Sequence, residues 1–203
     1  CCPLVLAYLI IYKDHVELFA DEEKFSDDMK REFAKNHVAL RPYTEIENAV
    51  GKLSGRKKML IDPERLSYAL YKLIPDETEM IEKENPEIIM KSVKNDIETE
   101  HIRRAHLKDA AAHTKFIYWL KENIGKTEIT ERSASARLEE FRKEQDGYLG
   151  PSFEPISAYS EHGAIVHYSA SKESDARLEK GHFLLTDTGG HYKDGSTDIT
   201  RTV

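Results

Sequence analysis

Two aspartates toward the carboxyl end, Asp187 and Asp198, sit on strand-like segments joined by a Gly-rich turn. Hard divalent cations take oxygen ligands, and two carboxylates held close together are half of a dinuclear metal site. Asp beside a turn is also ordinary turn chemistry, and Asp194-Gly195 alone is a hairpin signal. Two features point past that. Leu184, Leu185, Ile199 and Val203 make both arms apolar enough for burial, where an Asp needs a partner. The second arm, residues 197–203, is β-branched and alternating, so Asp198, Thr200 and Thr202 share one face while Ile199, Arg201 and Val203 share the other.

The turn decides where the two carboxylates meet. A two-residue turn at Asp194-Gly195 pairs Tyr192 with Thr197 and Asp187 with Thr202. The aspartates then face one way but stand roughly 13 Å apart along the ladder, at a rise of about 3.3 Å per residue. Metals bridged by shared ligands lie only about 3.5–4 Å apart. A looser or bulged connection is expected, with Gly189-Gly190 supplying the backbone freedom.

Other candidates are weaker. His167 closes the apolar run Ala164–Tyr168 and by itself reads as a strand-end histidine. His106 and His113 lie about two turns apart on one helix face, too far for one metal and suited to surface or core packing. His162 and His191 are near the aspartates in sequence only. Tyr192 and Arg201 suit strand packing and charge pairing. A phosphate-cradling Gly loop, a G-x-S-x-G elbow and a His-Glu-x-x-His helix are all missing, so nucleophilic serine or cysteine catalysis has no support.

Strands and helices alternate up to about residue 90. Val5–Ile11 and His15–Ala20 read as strands turning at Lys13-Asp14, and Ser26–Asn36 as a helix capped by Ser26. A short strand, Val38–Leu40, follows. Thr44–Leu53 reads as a helix with Thr44 and Glu47 as a capping box and Ile46, Ala49, Val50 and Leu53 inward. Met59–Asp62 reads as a strand and Pro63–Leu73 as a helix carrying Leu66, Ala69, Leu70 and Leu73. Glu82–Pro86 is charged and Pro-broken, which divides the chain into residues 1–86 and 87–203. Residues 87–125 are mostly helical, with Ile102, Ala105, Ala112, Phe116, Trp119 and Ile124 on one stripe and Gly125 as C-cap. Thr130–Gln145 is a second helix with Ala134, Leu138 and Phe141 inward. Strands are expected at Ser152–Ser157, Ala164–Tyr168, Phe183–Thr188 and Thr197–Val203.

The 203 residues suffice for one large or two small domains, with 33% charged and 39% hydrophobic residues. A net charge of −7 argues against a nucleic-acid surface, and Arg56-Lys57-Lys58 reads as a solvated turn. The apolar run Leu4–Tyr12 is too short for a membrane span and reads as a buried strand. The only cysteines, Cys1 and Cys2, are adjacent, so no disulfide framework is implied and a reducing cytoplasm is the default. The first residue is not Met, and both ends read as cut within strands.

The segment Asp187–Thr202 resembles the signature of the Xaa-Pro aminopeptidases, within the creatinase/prolidase/methionine aminopeptidase family. That motif reads approximately D-[ST]-G-x-x-Y-x-D-G-[ST]-T-D-[IV]-T-R-T, and every fixed position matches. The resemblance extends through Ser152-Phe153-x-Pro155-Ile156-Ser157, Gly163-Ala164-Ile165-Val166-His167-Tyr168 and Arg104-Ala105-His106-x-Lys108-Asp109-Ala110. More weakly, it reaches the run from Pro3 to Ile11 and Asp21-Glu22-Glu23-Lys24. It implies an α/β (α+β) fold: a creatinase N-terminal-like α/β domain, then an incomplete pita-bread catalytic domain. It implies Asp187 and Asp198 as ligands of two divalent ions, manganese by expectation, with a His and two Glu expected downstream. His167 is implied to contact substrate and assist proton movement. The implied activity is release of an N-terminal residue from peptides with proline second, in the cytoplasm, without nucleic acid or membrane, and compatible with a homodimer of a full-length parent. The chain by itself is expected to be inactive. Two alternatives stay open: a prolidase- or creatinase-type relative, and a non-catalytic pita-bread module that binds peptides.

Overall fold

The computed structural model describes residues 4–53 and 58–203. Cys1, Cys2 and the Arg56-Lys57 part of the cationic stretch lie outside the described residues. The described chain forms two compact units, residues 4–93 and 94–203.

In the first unit β1 (Ala7–Ile11) runs antiparallel to β2 (Val16–Ala20), which runs parallel to β3 (Val38–Pro42). Helix α1 (Asp27–Lys35) bridges β2 and β3, and its Ser26 cap accepts from the Met29 amide. Helix α2 (Ile46–Gly51) is shorter than the pattern suggests. Tyr43–Glu45 forms a 3-10 turn, so Thr44 is already inside helical backbone and caps nothing. Its apolar face is as expected, with Ile46, Val50 and Leu53 buried beside Phe19, Ile61, Leu70 and Ile74.

Strand β4 (Lys58–Ile61) pairs in parallel with β5 (Glu79–Glu82). The helix expected over Pro63–Leu73 shrinks to α3 (Tyr68–Tyr71). The Asp62 carboxylate accepts from the amides of Glu64 and Asn85, which turns the chain, and Ser67 then caps a fresh start at the Leu70 amide. Strand β5 has no apolar alternation to announce it, since two of its four residues are glutamates. Pro86 is the first residue of α4 (Pro86–Ser92) rather than a simple break.

The second unit begins with α5 (Asp96–Asn123). The Asn95 side chain accepts from the Glu98 amide, and the Glu98 carboxylate accepts from the Asn95 amide. Helix α6 (Glu131–Lys143) is capped by Thr130. Two three-stranded antiparallel sheets follow. One orders β7 (Ile156–Tyr159), β8 (Leu184–Thr188) and β11 (Ile199–Thr202) with β8 central. The other orders β6 (Tyr148–Pro151), β9 (Gly190–Tyr192) and β10 (Gly195–Ser196) with β9 central. Ala112, Phe116 and Leu120 of α5, Ala134, Leu138 and Phe141 of α6, and Leu184 of β8 form one core, which seats both helices on this side of β8.

Ala164–Tyr168 is not a strand. After β7, Ser160 turns with φ 51°, Ser160–Ala164 coils as a 3-10 segment, and the Ile165 and Tyr168 amides close local turns onto His162 and Ile165. Residues 164–167 are exposed and only Tyr168 at the end of the run is buried.

Candidate metal centre

Strand β8 sends Leu184, Thr186 and Thr188 toward the helices, all buried, and so turns Asp187 to the opposite face. Asp187 is half-buried and Asp198 exposed, which corrects the expectation that apolar flanks would bury them. The apolar side chains and the carboxylates use alternate faces.

The hairpin also differs from the expected register. Its turn is Lys193-Asp194, with Gly195 opposite Tyr192 and Ser196 opposite His191. The same register runs on through the Thr197 amide, which donates to the Gly190 carbonyl at 2.9 Å, to Thr200 opposite Asp187. Asp198 becomes the diagonal cross-strand neighbour of Asp187, a relation in which Cα atoms lie about 7–8 Å apart. No bulge between the aspartates is required. Neither Gly189 nor Gly190 has a positive φ; what they supply is room. A Cβ on Gly189 would stand 2.0 Å from the Thr197 carbonyl oxygen and 2.3 Å from Ser152 Oγ.

The two carboxylates interact. Partial desolvation, then the charge of Asp187 and a hydrogen bond with it, push the Asp198 carboxyl above its ordinary range. No cation contributes at Asp198, whereas the fully buried Asp109 has its charge matched by Arg142. Thr200 donates its hydroxyl to Asp187 Oδ1 at 2.7 Å, which leaves further acceptor capacity on both residues. Two adjacent carboxylates short of positive charge fit a dication. Among the described residues no group of three or more His, Cys, Asp or Glu is placed to hold a metal, so the pair provides part of a coordination shell.

His167 is not brought into a three-donor cluster with the aspartates. It stands exposed on the turn after the 3-10 segment, with φ 56°. The other histidines are occupied elsewhere. His113 is buried, with Nε2 3.4 Å from Thr186 Oγ1; the Nδ1 of His106 bonds the Ile102 carbonyl; His191 Nδ1 bonds Ser196 Oγ at 2.6 Å. Tyr192 packs edge-on to Tyr148, and Arg201 donates to the Thr200 carbonyl instead of pairing with an acid.

On the helix side of β8 lies a buried ionic cluster built from Asp109, Thr188 and Thr197, which lie in the matched motifs, and Arg142, which does not. Arg142 donates to both Asp109 oxygens, at 2.7 and 3.3 Å, and to Thr188 Oγ1 at 2.9 Å. The Thr197 hydroxyl donates to Asp109 and accepts from the Gly190 amide. Thr188 immediately follows Asp187 and Thr197 immediately precedes Asp198, so this network fixes both strand ends that carry the pair. A second buried acid, Glu131, takes four hydrogen bonds from the segment around His167. The Lys108–Asp194 ion pair holds the hairpin tip to α5.

Residues 1–98 match the Creatinase/Prolidase N-terminal domain, and residues 100–203 match Metallopeptidase family M24. The chain belongs to metallopeptidase family M24. Its fold joins a creatinase N-terminal-like α/β unit to part of a pita-bread catalytic domain. It is 35% identical to Xaa-Pro aminopeptidase 1 of Dictyostelium discoideum, over 99% of this chain and 32% of that protein. It is 35% identical to Xaa-Pro aminopeptidase 2 of Sus scrofa, over 99% of this chain and 31% of that protein. It thus spans about a third of the length of these curated relatives. Among solved structures, an X-prolyl aminopeptidase from Caenorhabditis elegans superposes with a TM-score of 0.89 at 30% identity, over 99% of this chain and 34% of that one. That protein is described as a cytosolic enzyme with a di-nuclear active site. The prolidase of Pyrococcus furiosus superposes at 0.68 with 25% identity, over 97% of this chain and 55% of that one. No helix among the described residues is long and apolar enough to cross a membrane.

Proposed function

We propose that this chain contributes the first metal-binding carboxylates of an Xaa-Pro aminopeptidase, which releases an N-terminal residue when proline is second. The observation that carries the reading is the Asp187–Asp198 pair: diagonal neighbours on one sheet face, with partial desolvation and the Asp187 charge raising the Asp198 carboxyl. Asp187 and Asp198 would hold two divalent ions, manganese by our reading, together with donors outside this chain. Ions bound there lower the pKa of water and polarise a peptide carbonyl. Thr200 orients one Asp187 oxygen by donating its hydroxyl to it. His167, exposed on its turn, can donate to a developing oxyanion or accept from an amine at the substrate.

The same reading sets the protein in the cytoplasm, acting on peptides, and allows a homodimer. The relatives most similar in sequence are named for Xaa-Pro aminopeptidase activity, which favours this substrate class over that of the prolidases.

The test uses a protein that carries this chain within the full length of its relatives. Asp198→Asn keeps size and hydrogen bonding while removing charge, so bound metal, read by elemental analysis, and hydrolysis of Arg-Pro-Pro should fall together. Retention of both metals and of Xaa-Pro cleavage in that variant sinks the ligand assignment. Cleavage of the dipeptide Arg-Pro in preference to Arg-Pro-Pro would favour the prolidase-type alternative, and metal-free peptide binding the non-catalytic one.

A further inference from the structure

Glu131 opens α6 and has no exposed surface. A buried carboxylate is costly unless hydrogen bonds replace its water. Every bond it receives comes from one stretch of chain. The Tyr159 amide donates to Oε1 at 2.7 Å and His162 Nδ1 lies 2.8 Å from the same oxygen. The Tyr168 hydroxyl donates to Oε2 at 2.8 Å and the Ala176 amide at 3.1 Å. Both ends of segment 159–176 and two points within it are therefore drawn to a single side chain on a helix.

Among the described residues, that segment contains two of the three non-glycine residues with left-handed backbone, Ser160 at φ 51° and His167 at φ 56°. Such a conformation persists only where the surroundings fix it. The fixing point adjacent to His167 is visible. Tyr168 is buried, its ring stacks on His162 with centroids 4.5 Å apart, and its hydroxyl reaches Glu131. His167 itself remains exposed. The helix thus holds the backbone of a histidine whose imidazole it leaves free.

We propose that Glu131 is a positioning residue, acting through Tyr168 to set the place of His167. The inference rests on the role given to His167 above. Glu131 touches neither substrate nor metal in this role. It anchors the turn to the buried start of α6, so that the imidazole meets substrate at one place rather than over a range. Misplacement of a participating group by about 1 Å can cost on the order of a hundredfold in rate.

Two measurements test this. In the 203-residue chain, amide hydrogen exchange is followed for Glu131→Gln and for the milder Tyr168→Phe, which keeps the ring stacked on His162. Exchange over residues 160–176 should rise on the order of tenfold while amides of α5 near Phe116 stay protected. In a protein of the relatives' full length, Tyr168→Phe should lower kcat for Arg-Pro-Pro on the order of tenfold, with KM and metal content nearly unchanged. The double variant Tyr168→Phe/His167→Ala should be no slower than His167→Ala alone, because both act through one imidazole. A purely structural Tyr168 would give additive losses instead. Unchanged exchange in both variants, or additive losses, overturns the proposal. If His167→Ala retains full activity, the role of His167 is wrong and the proposal falls with it. If His167→Ala is impaired while Tyr168→Phe is not, only the positioning claim falls.

Discussion

Thr200 stands directly across the β8–β11 ladder from Asp187 and donates its hydroxyl to that carboxylate at 2.7 Å. This pairing belongs to the single register that runs through the hairpin. It places Asp198 diagonally beside Asp187 rather than farther along the strand, and it occupies one Asp187 oxygen with a neutral donor. Two carboxylates on the open face are thereby close enough to feel each other's charge.

Thr200→Val removes the hydroxyl while preserving shape and strand propensity. Divalent-ion affinity in a protein of the relatives' full length should fall roughly tenfold, the lower end of what outer-shell changes cost. Titration with Mn²⁺ followed by paramagnetic resonance reads it directly. Unaltered affinity would mean that Thr200 does not orient Asp187.

Gly189 has no space for a side chain, because its ideal Cβ lies 2.0 Å from the Thr197 carbonyl oxygen. Gly189→Ala must spread the two strands just before Asp198. A loss of about 1–3 kcal/mol is expected, as for overpacking elsewhere, together with weakened metal binding. Urea unfolding of the 203-residue chain measures the first effect.

The Asp109–Arg142 pair is buried on both sides, at 0% and 1% side-chain exposure. Arg142→Met strands the Asp109 charge and should cost about 3–5 kcal/mol. Asp109→Leu combined with Arg142→Met should recover a large part of that loss, since neither charge is then left unpaired. Denaturation midpoints of the three proteins decide the matter; equal losses in single and double variants would contradict it.

Burial, reinforced by the Arg142 charge, lowers the His113 imidazole from 6.5 to about 4, against a smaller opposing effect of Asp109. The folded chain keeps this ring neutral where the unfolded chain binds a proton. Stability from this group is therefore full above pH 6.5 and declines as pH falls toward 4. About 1 kcal/mol should be lost between pH 7 and 5.5. Urea midpoints across that interval should show a slope that His113→Phe flattens, whatever its effect on stability at pH 7.

Adding Mn²⁺ to the 203-residue chain should give no Arg-Pro-Pro hydrolysis. Its described residues contain no group of three or more donors placed to hold a metal, so the carboxylate pair stands without further ligands. Turnover proportional to chain concentration, and abolished by Asp187→Ala, would refute this.

The sequence by itself determined the parts whose causes are local. Ser26 and Thr130 cap their helices. Ala134, Leu138 and Phe141 face inward, as do Ile46, Val50 and Leu53. Asp198 and Thr200 share a face because strand periodicity is strict. The identity of the paired carboxylates was legible in the same way. Tertiary structure decided what depends on distant partners. Lys193-Asp194 and Asp194-Gly195 are overlapping turn possibilities, and the ladder chose between them through Thr197, Thr200 and the Lys108–Asp194 pair. The apolar run Ala164–Tyr168 has strand composition but no neighbouring strand to receive its hydrogen bonds, so it coils. Glu131 and Arg142 belong to no matched motif, and Asp109 lies in one that names no partner for it. They are buried because their partners arrive from Tyr168, Thr188 and Thr197, and only folding brings such remote donors within hydrogen-bonding distance.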